Sequence, residues 1–264
     1  MMDTAKTNAL AAQLLADMGA RTKYKPLRLD GATIDADTAY EVQRQVVQHA
    51  QQAGAGQVAG YKIGLTSGAM QRFCGVDEPI LGRLLTGRQV QSGTTVRRAD
   101  FVRLGLESEL ALRIAKPFPA MRDGNVFALL ECIDQAAAAF EIVDDRDADY
   151  SSLDAYSIAA ENSWNAGMIL GPPISARELG SFGNLQGRLL INGAEVAQGN
   201  SSDVLGSPLN VMAWLGRFAQ RAGFSLEPGQ WVLTGSMIAT KFPAVGDRVR
   251  FELGSLPPVE ISVV

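Results

Sequence analysis

One stretch constrains the chain more than any other: Leu104-Gly-Leu-Glu-Ser-Glu-Leu-Ala-Leu-Arg-Ile114. Leu106, Leu110, Leu112 and Ile114 share one parity, the period of a β-strand with an apolar face. Glu107 and Glu109 then fall together on the opposite face. Two neighbouring carboxylates repel, and burying them requires a cation between them. A second apolar stretch, Ala136-Ala-Ala-Ala-Phe-Glu-Ile-Val-Asp144, sets Glu141 among hydrophobic neighbours. A Glu-x-Glu strand alone is most often the solvated face of an amphipathic sheet. A glutamate inside Phe140-Glu-Ile-Val143 is harder to leave without a partner. Glu107, Glu109 and Glu141 are therefore expected to hold one hard divalent cation. All-oxygen ligation suits Mg²⁺ or Mn²⁺, which keep positions open for water and substrate.

Several function classes drop out on composition. The 264 residues carry a formal net charge of −4 without a basic cluster, which argues against nucleic acid as a partner. No apolar run approaches bilayer length, and Met1-Met-Asp-Thr-Ala-Lys6 lacks the pattern of a signal peptide, so a cytoplasmic location is expected. Cys74 and Cys132 suit a reducing compartment better than a disulfide, and neither has zinc-ligand spacing. The single histidine, His49, lies near the end of an amphipathic helix with a buried stripe of Ala39, Val42, Val46 and Ala50. It reads as a surface residue, which disfavours Ser-His-Asp and Cys-His catalysis.

Residues 4–19 and 36–53 read as helices and form an expected N-terminal helical lobe, residues 1–56. The remainder, residues 57–264, reads as a β-rich catalytic domain. Val58 to Thr66 is a Gly-containing strand with Lys62 inside it; by pattern alone Lys62 suits a snorkelling surface position as well as a buried one. A loop from Gly75 to Gly82 carries Asp77 and Glu78. A helix from Asp123 or Asn125 is expected to hold Val126, Leu129, Leu130 and Ile133. The run Asp144 to Asp149 reads as a solvated charged loop. A short helix over 153–161, a polar turn over 162–165 and a buried strand over 166–171 follow. Asn192-Gly193 centres a β-hairpin, and Leu209 to Ala222 is an amphipathic helix. Strands over 230–235, 247–253 and 257–264 complete an α+β chain with a mixed, mostly antiparallel β body and peripheral helices.

Seven blocks occur in an order that resembles a known family: Gly60-Tyr-Lys-Ile-Gly-Leu-Thr66, Gly75-Val-Asp-Glu-Pro79, Glu107-Ser-Glu109, Phe140-Glu-Ile-Val-Asp-Asp-Arg146, Ala160-Glu-Asn-Ser-Trp-Asn-Ala-Gly167, Val204 to Leu215, and Leu233-Thr-Gly-Ser236. Together they look like the 2-keto-4-pentenoate hydratase / 2-oxohepta-4-ene-1,7-dioate hydratase / 4-oxalocrotonate decarboxylase group of the fumarylacetoacetate hydrolase superfamily. The resemblance implies a β-roll or barrel-like body and an Mg²⁺ or Mn²⁺ site on Glu107, Glu109 and Glu141, in agreement with the strand parity. It implies a small-molecule 2-oxo or 2-hydroxy-dienoic acid from aromatic ring degradation as substrate. It also implies a homo-oligomer, with association with a related hydratase or decarboxylase as a further expectation.

Carried over residue by residue, Lys62 matches the family's active-site lysine, and Asp77 or Glu78 its acidic residue in the following loop. Ser163, Asn165 and Ser236 fall in segments that hydrogen-bond substrate, and Leu84 is expected to offer its backbone. The chain departs from the family at Gly206-Ser-Pro208, Ala160-Glu-Asn162 and Arg103-Leu-Gly-Leu106. The expected activity is a metal-dependent hydratase working through an enolate; the alternatives are a decarboxylase of the 4-oxalocrotonate type and a non-catalytic partner subunit. A cation over the substrate's far end, from Arg72, Arg83 or Lys241, would favour a dicarboxylate.

Overall fold

A computed structural model describes residues 3–118, 129–180 and 182–264. Its centre is a pair of long antiparallel strands, β7 (Leu104–Ile114) and β8 (Ile133–Asp144). Around them the larger sheet adds β3 (Val58–Gly64), β4 (Ile80–Leu85), β5 (Gln89–Gln91), β9 (Asn165–Leu170) and β13 (Trp231–Ser236), in the order β4-β3-β13-β7-β8-β9-β5. The short β10 (Ile174–Ser175) attaches to the start of β8, and a separate ribbon pairs β1 (Arg28–Leu29) with β2 (Ala32–Thr33). A second sheet runs β12-β11-β14-β15-β6, from β6 (Thr94–Val96), β11 (Gln186–Ile191), β12 (Ala194–Asn200), β14 (Arg248–Leu253) and β15 (Leu256–Val263). Most pairings are antiparallel; β3 with β13, β5 with β9 and β6 with β15 are parallel. The larger sheet ends at β4 and β5, so strand pairing among the described residues leaves it open and does not close a barrel.

Both faces of β7 and β8 are covered, which is why their sequences are so apolar. Leu106, Leu110, Leu112, Ala138 and Phe140 face the main core, where Phe140 meets Phe251 of the second sheet with ring centroids 6.1 Å apart. Each fully buried leucine there contributes about 1.5–3 kcal/mol. Ala111, Ala137 and Ala139 point the other way, against Leu84, Met168 and Leu233. The small side chains of the Ala136–Ala139 run let this second layer sit close to the sheet.

The helices flank the sheets: α1 (Thr4–Gly19), α2 (Ala36–Ala50), α3 (Gly68–Phe73), α4 (Ala155–Ala160), α5 (Ala176–Leu179) and α6 (Pro208–Ala222). Asp3 caps α1 and Asp35 caps α2 through side-chain bonds to backbone N–H groups. Leu10, Leu14, Val42 and Val46 share a separate core with Ile158 and Ala159 of α4. From α2, Gln43 donates to Leu81 O and Ala159 O, both at 2.7 Å, and so ties α2 to β4 and α4. His49 is exposed, as its place at the helix end suggests.

Two expectations need correction, and two short strands carried no readable pattern. The helix expected from residues 123–133 lies mostly outside the described residues, and Ile133 opens β8 rather than closing a helix. The run 144–149 is not simply solvated. Asp145 and Arg146 are buried, because Arg103 from β7's approach and Glu161 after α4 supply counter-charges that no local pattern reveals. The short strands β5 and β6 lack enough apolar alternation to have been read from sequence.

Candidate metal centre

Register makes the site. Glu107 on β7 lies directly opposite Glu141 on β8, and Glu109 is one same-face step along. Like charges directly across an antiparallel pair destabilise it. Here three of them converge, with one oxygen from each of Glu107, Glu109 and Glu141 within 4.8 Å of the others. Glu109 and Glu141 are fully buried and Glu107 half-buried.

Each carboxylate is aimed by one neutral donor. Thr240 Oγ1 donates to Glu107 Oε1 at 2.8 Å, and Asn165 Nδ2 donates to Glu141 Oε1 at 2.9 Å. Gly235 N donates to Glu109 Oε2 at 2.6 Å. That last bond depends on an irregularity in β13, whose register against β7 shifts between Leu233 and Ser236. Gly235 sits there at φ +109°, and a Cβ would fall 2.6 Å from Thr66 Oγ1, so a side chain would be both strained and crowded. Glu109 Oε1 remains buried with neither a hydrogen bond nor an ion pair, and Glu141 Oε2 is buried with the Lys62 ammonium as its one neighbour, without a hydrogen bond. Unsatisfied carboxylate oxygens are costly and call for a ligand. Converging hard oxygens with spare lone pairs fit a divalent ion.

Lys62 on β3 closes the cluster, with Nζ 3.2 Å from Glu141 Oε2 and the side chain buried. It lies along Gly82 of β4, where a Cβ would come within 2.9 Å of Lys62 Cγ. Burial lifts the Glu109 carboxyl well above the usual range, and the neighbouring Glu141 and Glu107 lift it further. Burial likewise raises Glu141 to about 7, against the pull of Lys62. For Lys62, burial pulls the pKa down, but Glu141, Glu107 and Glu109 outweigh it and the net direction is upward. A divalent ion would offset those carboxylates and, as a like charge beside the ammonium, favour a lower Lys62 pKa than the metal-free cluster does.

A cavity of about 570 Å³ opens beside the cluster, lined by Lys62 and Glu107 and also by Ser163 and Ser236. Ser163 belongs to an unusual turn in which Asn162, Ser163 and Trp164 all have φ between +50° and +61°. Left-handed backbone costs about 1–2 kcal/mol per non-glycine residue. The turn is held by Asn162, which accepts from Arg83 N at 2.7 Å and donates to Arg83 O at 2.9 Å, and by Ser163 Oγ donating to Leu81 O. Strain of this kind concentrates at functional sites.

The other predicted residues fall elsewhere. Glu78 accepts from Trp214 Nε1 at 3.0 Å and Arg221 at 2.9 Å, both on α6, and Asp77 is exposed; neither lines the cavity. The loop follows α3 outward, so closeness in sequence to Lys62 does not bring it back to the carboxylates. Leu84 is paired with Gly60 within the sheet and its side chain is buried in the second layer, away from the cavity lining. Asn165 supports Glu141 rather than facing the cavity. Ser236 lines the cavity, with its hydroxyl donating to Ile238 O at 2.6 Å. Thr240, absent from the sequence-based set, is delivered by the chain after β13, which runs back along β7 to bridge Lys241 with Leu106.

Residues 39–264 match the model of the fumarylacetoacetate (FAA) hydrolase C-terminal family. The chain is 32% identical to the 2-keto-4-pentenoate hydratase of Paraburkholderia phymatum, across 91% of this chain and 92% of that one. It is 30% identical to a 4-oxalocrotonate decarboxylase of a Pseudomonas species, across 95% and 96%. Among solved structures, the 4-oxalocrotonate decarboxylase from Pseudomonas putida G7, complexed with magnesium and adipate, aligns with a TM-score of 0.90 at 25% identity, over 100% of this chain and 99% of that one.

Proposed function

The chain belongs to the fumarylacetoacetate hydrolase family, and we propose that it is a divalent-metal-dependent hydratase, a lyase that adds water to a 2-hydroxy-dienoate or 2-oxo-4-enoate in aromatic catabolism. One observation carries this reading: Glu107, Glu109 and Glu141 converge beside a cavity, with Glu109 Oε1 buried without a partner and Glu141 Oε2 met only by Lys62. These three residues would hold the ion, Mg²⁺ or Mn²⁺. Structures of related proteins bound to magnesium, calcium or Mn²⁺ support a divalent ion. When bound, the ion supplies Lewis-acid stabilisation of negative charge developing on the substrate's C2 oxygen.

The chain's own residues do the rest. Lys62 is a buried cation facing the cavity, suited to stabilise developing negative charge and to move a proton to the far end of the dienol. Water then adds at C4 of the unsaturated ketone. Ser163 and Ser236 border the same space, their hydroxyls donating to Leu81 O and Ile238 O, and shape the wall against which the acid lies. Asp77 and Glu78 receive no catalytic role. Residues 1–56 act as a helical lobe that steadies β4 through Gln43 and through Tyr40, whose hydroxyl accepts from Leu81 N. The family expectation of a homo-oligomer is kept as part of the proposal.

The test is absorbance loss of 2-hydroxypenta-2,4-dienoate and its homologues with longer alkyl tails by the purified full chain, with Mg²⁺ or Mn²⁺ and then with EDTA. Consumption that needs the ion and releases no CO₂ is expected. Absence of turnover with either ion would overturn the reading and favour a non-catalytic subunit. Decarboxylation is the second reading, favoured by the TM-score of 0.90 to a decarboxylase. CO₂ released in step with turnover of 4-oxalocrotonate would move the assignment there.

A further inference from the structure

Lys62 and Glu107 bring the carboxylate cluster to the wall of the cavity. Much of the remaining lining is apolar: Met70, Leu153, Ile158, Trp164, Ile238 and Phe242 all belong to it. At about 570 Å³ the space lies in the range that encloses drug-sized ligands, well beyond a five-carbon acid. Met70 and Phe242 are 37% and 45% exposed, large apolar side chains left at the surface where a ligand would cover them.

The charges matter as much as the size. Lys62 is the only cationic side chain among the described residues lining the cavity. Arg72, Arg83 and Lys241 are all absent from the lining. Arg83 is tied to Gln43 beyond β4. Arg103 stacks 4.7 Å over Phe242 and 5.6 Å over Tyr150, but its guanidinium is spent on Asp145, Asp147 and Ala148 O. Asp203 adds a negative charge to the lining. With a divalent ion bound, three ionised glutamates and Lys62 balance. A substrate's first carboxylate can meet the ion, while a second would enter an apolar chamber with no free cation and an acid nearby. Trp164 Nε1 is a buried donor without a partner, and one neutral N–H cannot offset a desolvated carboxylate.

We infer that this site takes a 2-oxo or 2-hydroxy-dienoic acid whose far end is uncharged, apolar and several carbons long, and turns away the equivalent dicarboxylate. The inference rests on the 2-oxo-acid chemistry proposed above. It is tested by calorimetric titration of the Mg²⁺-loaded full chain with 2-oxooctanoate and 2-oxooctanedioate, acids matched in length that need no turnover. Binding of the monoacid at least 10-fold tighter is expected. Equal or tighter binding of the diacid overturns the tail assignment and leaves the 2-oxo-acid reading standing. Failure of both to bind overturns that reading, and this inference with it. Met70→Arg, which sets a cation at the cavity's rim, should tighten the diacid at least 5-fold without helping the monoacid. An unchanged ratio in that variant, folded by circular dichroism, would mean the tail lies elsewhere.

Discussion

Arg146 and Glu161 meet in a two-pronged ion pair, Nε to Oε1 and Nη2 to Oε2 at 2.9 Å, with Nη1 donating to Thr22 O at 2.7 Å. Glu109 and Glu141 are buried at least as deeply, yet each keeps an oxygen with no hydrogen bond, and three carboxylates share one lysine. The first cluster has closed its valences and joins the turn after α1 to the end of α4. The second has left them open toward a cavity. Buried charge whose hydrogen bonds are complete is scaffold; the same chemistry left incomplete is a place to bind something.

The sharpest way to break that contrast is to neutralise one member of the open cluster. Glu109→Gln should abolish metal binding and lower turnover at least about 10⁴-fold, equivalent to roughly 5 kcal/mol of barrier. The metal-free fold should survive, because the change removes a repulsion rather than a bond partner. Titration calorimetry, steady-state rates and a melting curve check the three parts. Retained metal affinity would remove the basis for calling the cluster open.

In the closed cluster the same logic predicts the reverse. Arg146→Met strands Glu161 and should cost about 3–5 kcal/mol in urea unfolding. Adding Glu161→Met should recover most of it, since a well-packed apolar pair can replace a buried ion pair. A single variant as stable as the parent would show that this pair is not closed in the sense argued.

A smaller effect sharpens the comparison through pH. Burial raises Glu109 and Glu141 above the ordinary carboxylate range, so the metal-free folded chain binds more protons there than the unfolded chain. Its stability should therefore fall as pH rises from about 4.5 toward 7, by up to about 3 kcal/mol for Glu141. Glu161 is also raised, by burial against the pull of Arg146, and adds to that slope, so the response to Mg²⁺ is what marks the open cluster; Asp134, held low by Arg113, contributes little. Melting temperatures from pH 5 to 7.5 should decline in EDTA, and Mg²⁺ should raise them most at the upper end. A flat profile in EDTA that Mg²⁺ leaves unmoved would contradict the assignment.

Much of the site was legible because strand parity is strict. Alternation placed Glu107 and Glu109 on one face, and the apolar run around Glu141 marked it as buried. What parity cannot give is register: nothing local says that Glu107 lies opposite Glu141 or that Lys62 arrives from β3. Asp77 and Glu78 failed for the same reason, since α6, distant in sequence, supplies Trp214 and Arg221 to draw Glu78 away. Thr240 carries no motif; its position comes from the backbone bridge between Lys241 and Leu106. The buried Asp145 and Arg146 were hidden by a rule that is sound for isolated charge runs and silent about long-range partners.

Asn165 tests how far the open cluster depends on its supports. Sequence placed it against substrate; the structure gives its Nδ2 to Glu141 Oε1 at 2.9 Å and to Gly167 O at 3.3 Å. Residues that orient a ligand side chain typically change metal affinity 10–100-fold when removed. Asn165→Ala should therefore weaken metal binding by about that factor. Its donor also helps hold the Glu141 carboxyl down, so the variant should move the pH midpoint of metal binding upward. A residue that touched only substrate would raise KM and leave both quantities alone. Calorimetric titration with Mg²⁺ across pH 6–8 separates the two roles, because a shifted midpoint can come only through the carboxylate.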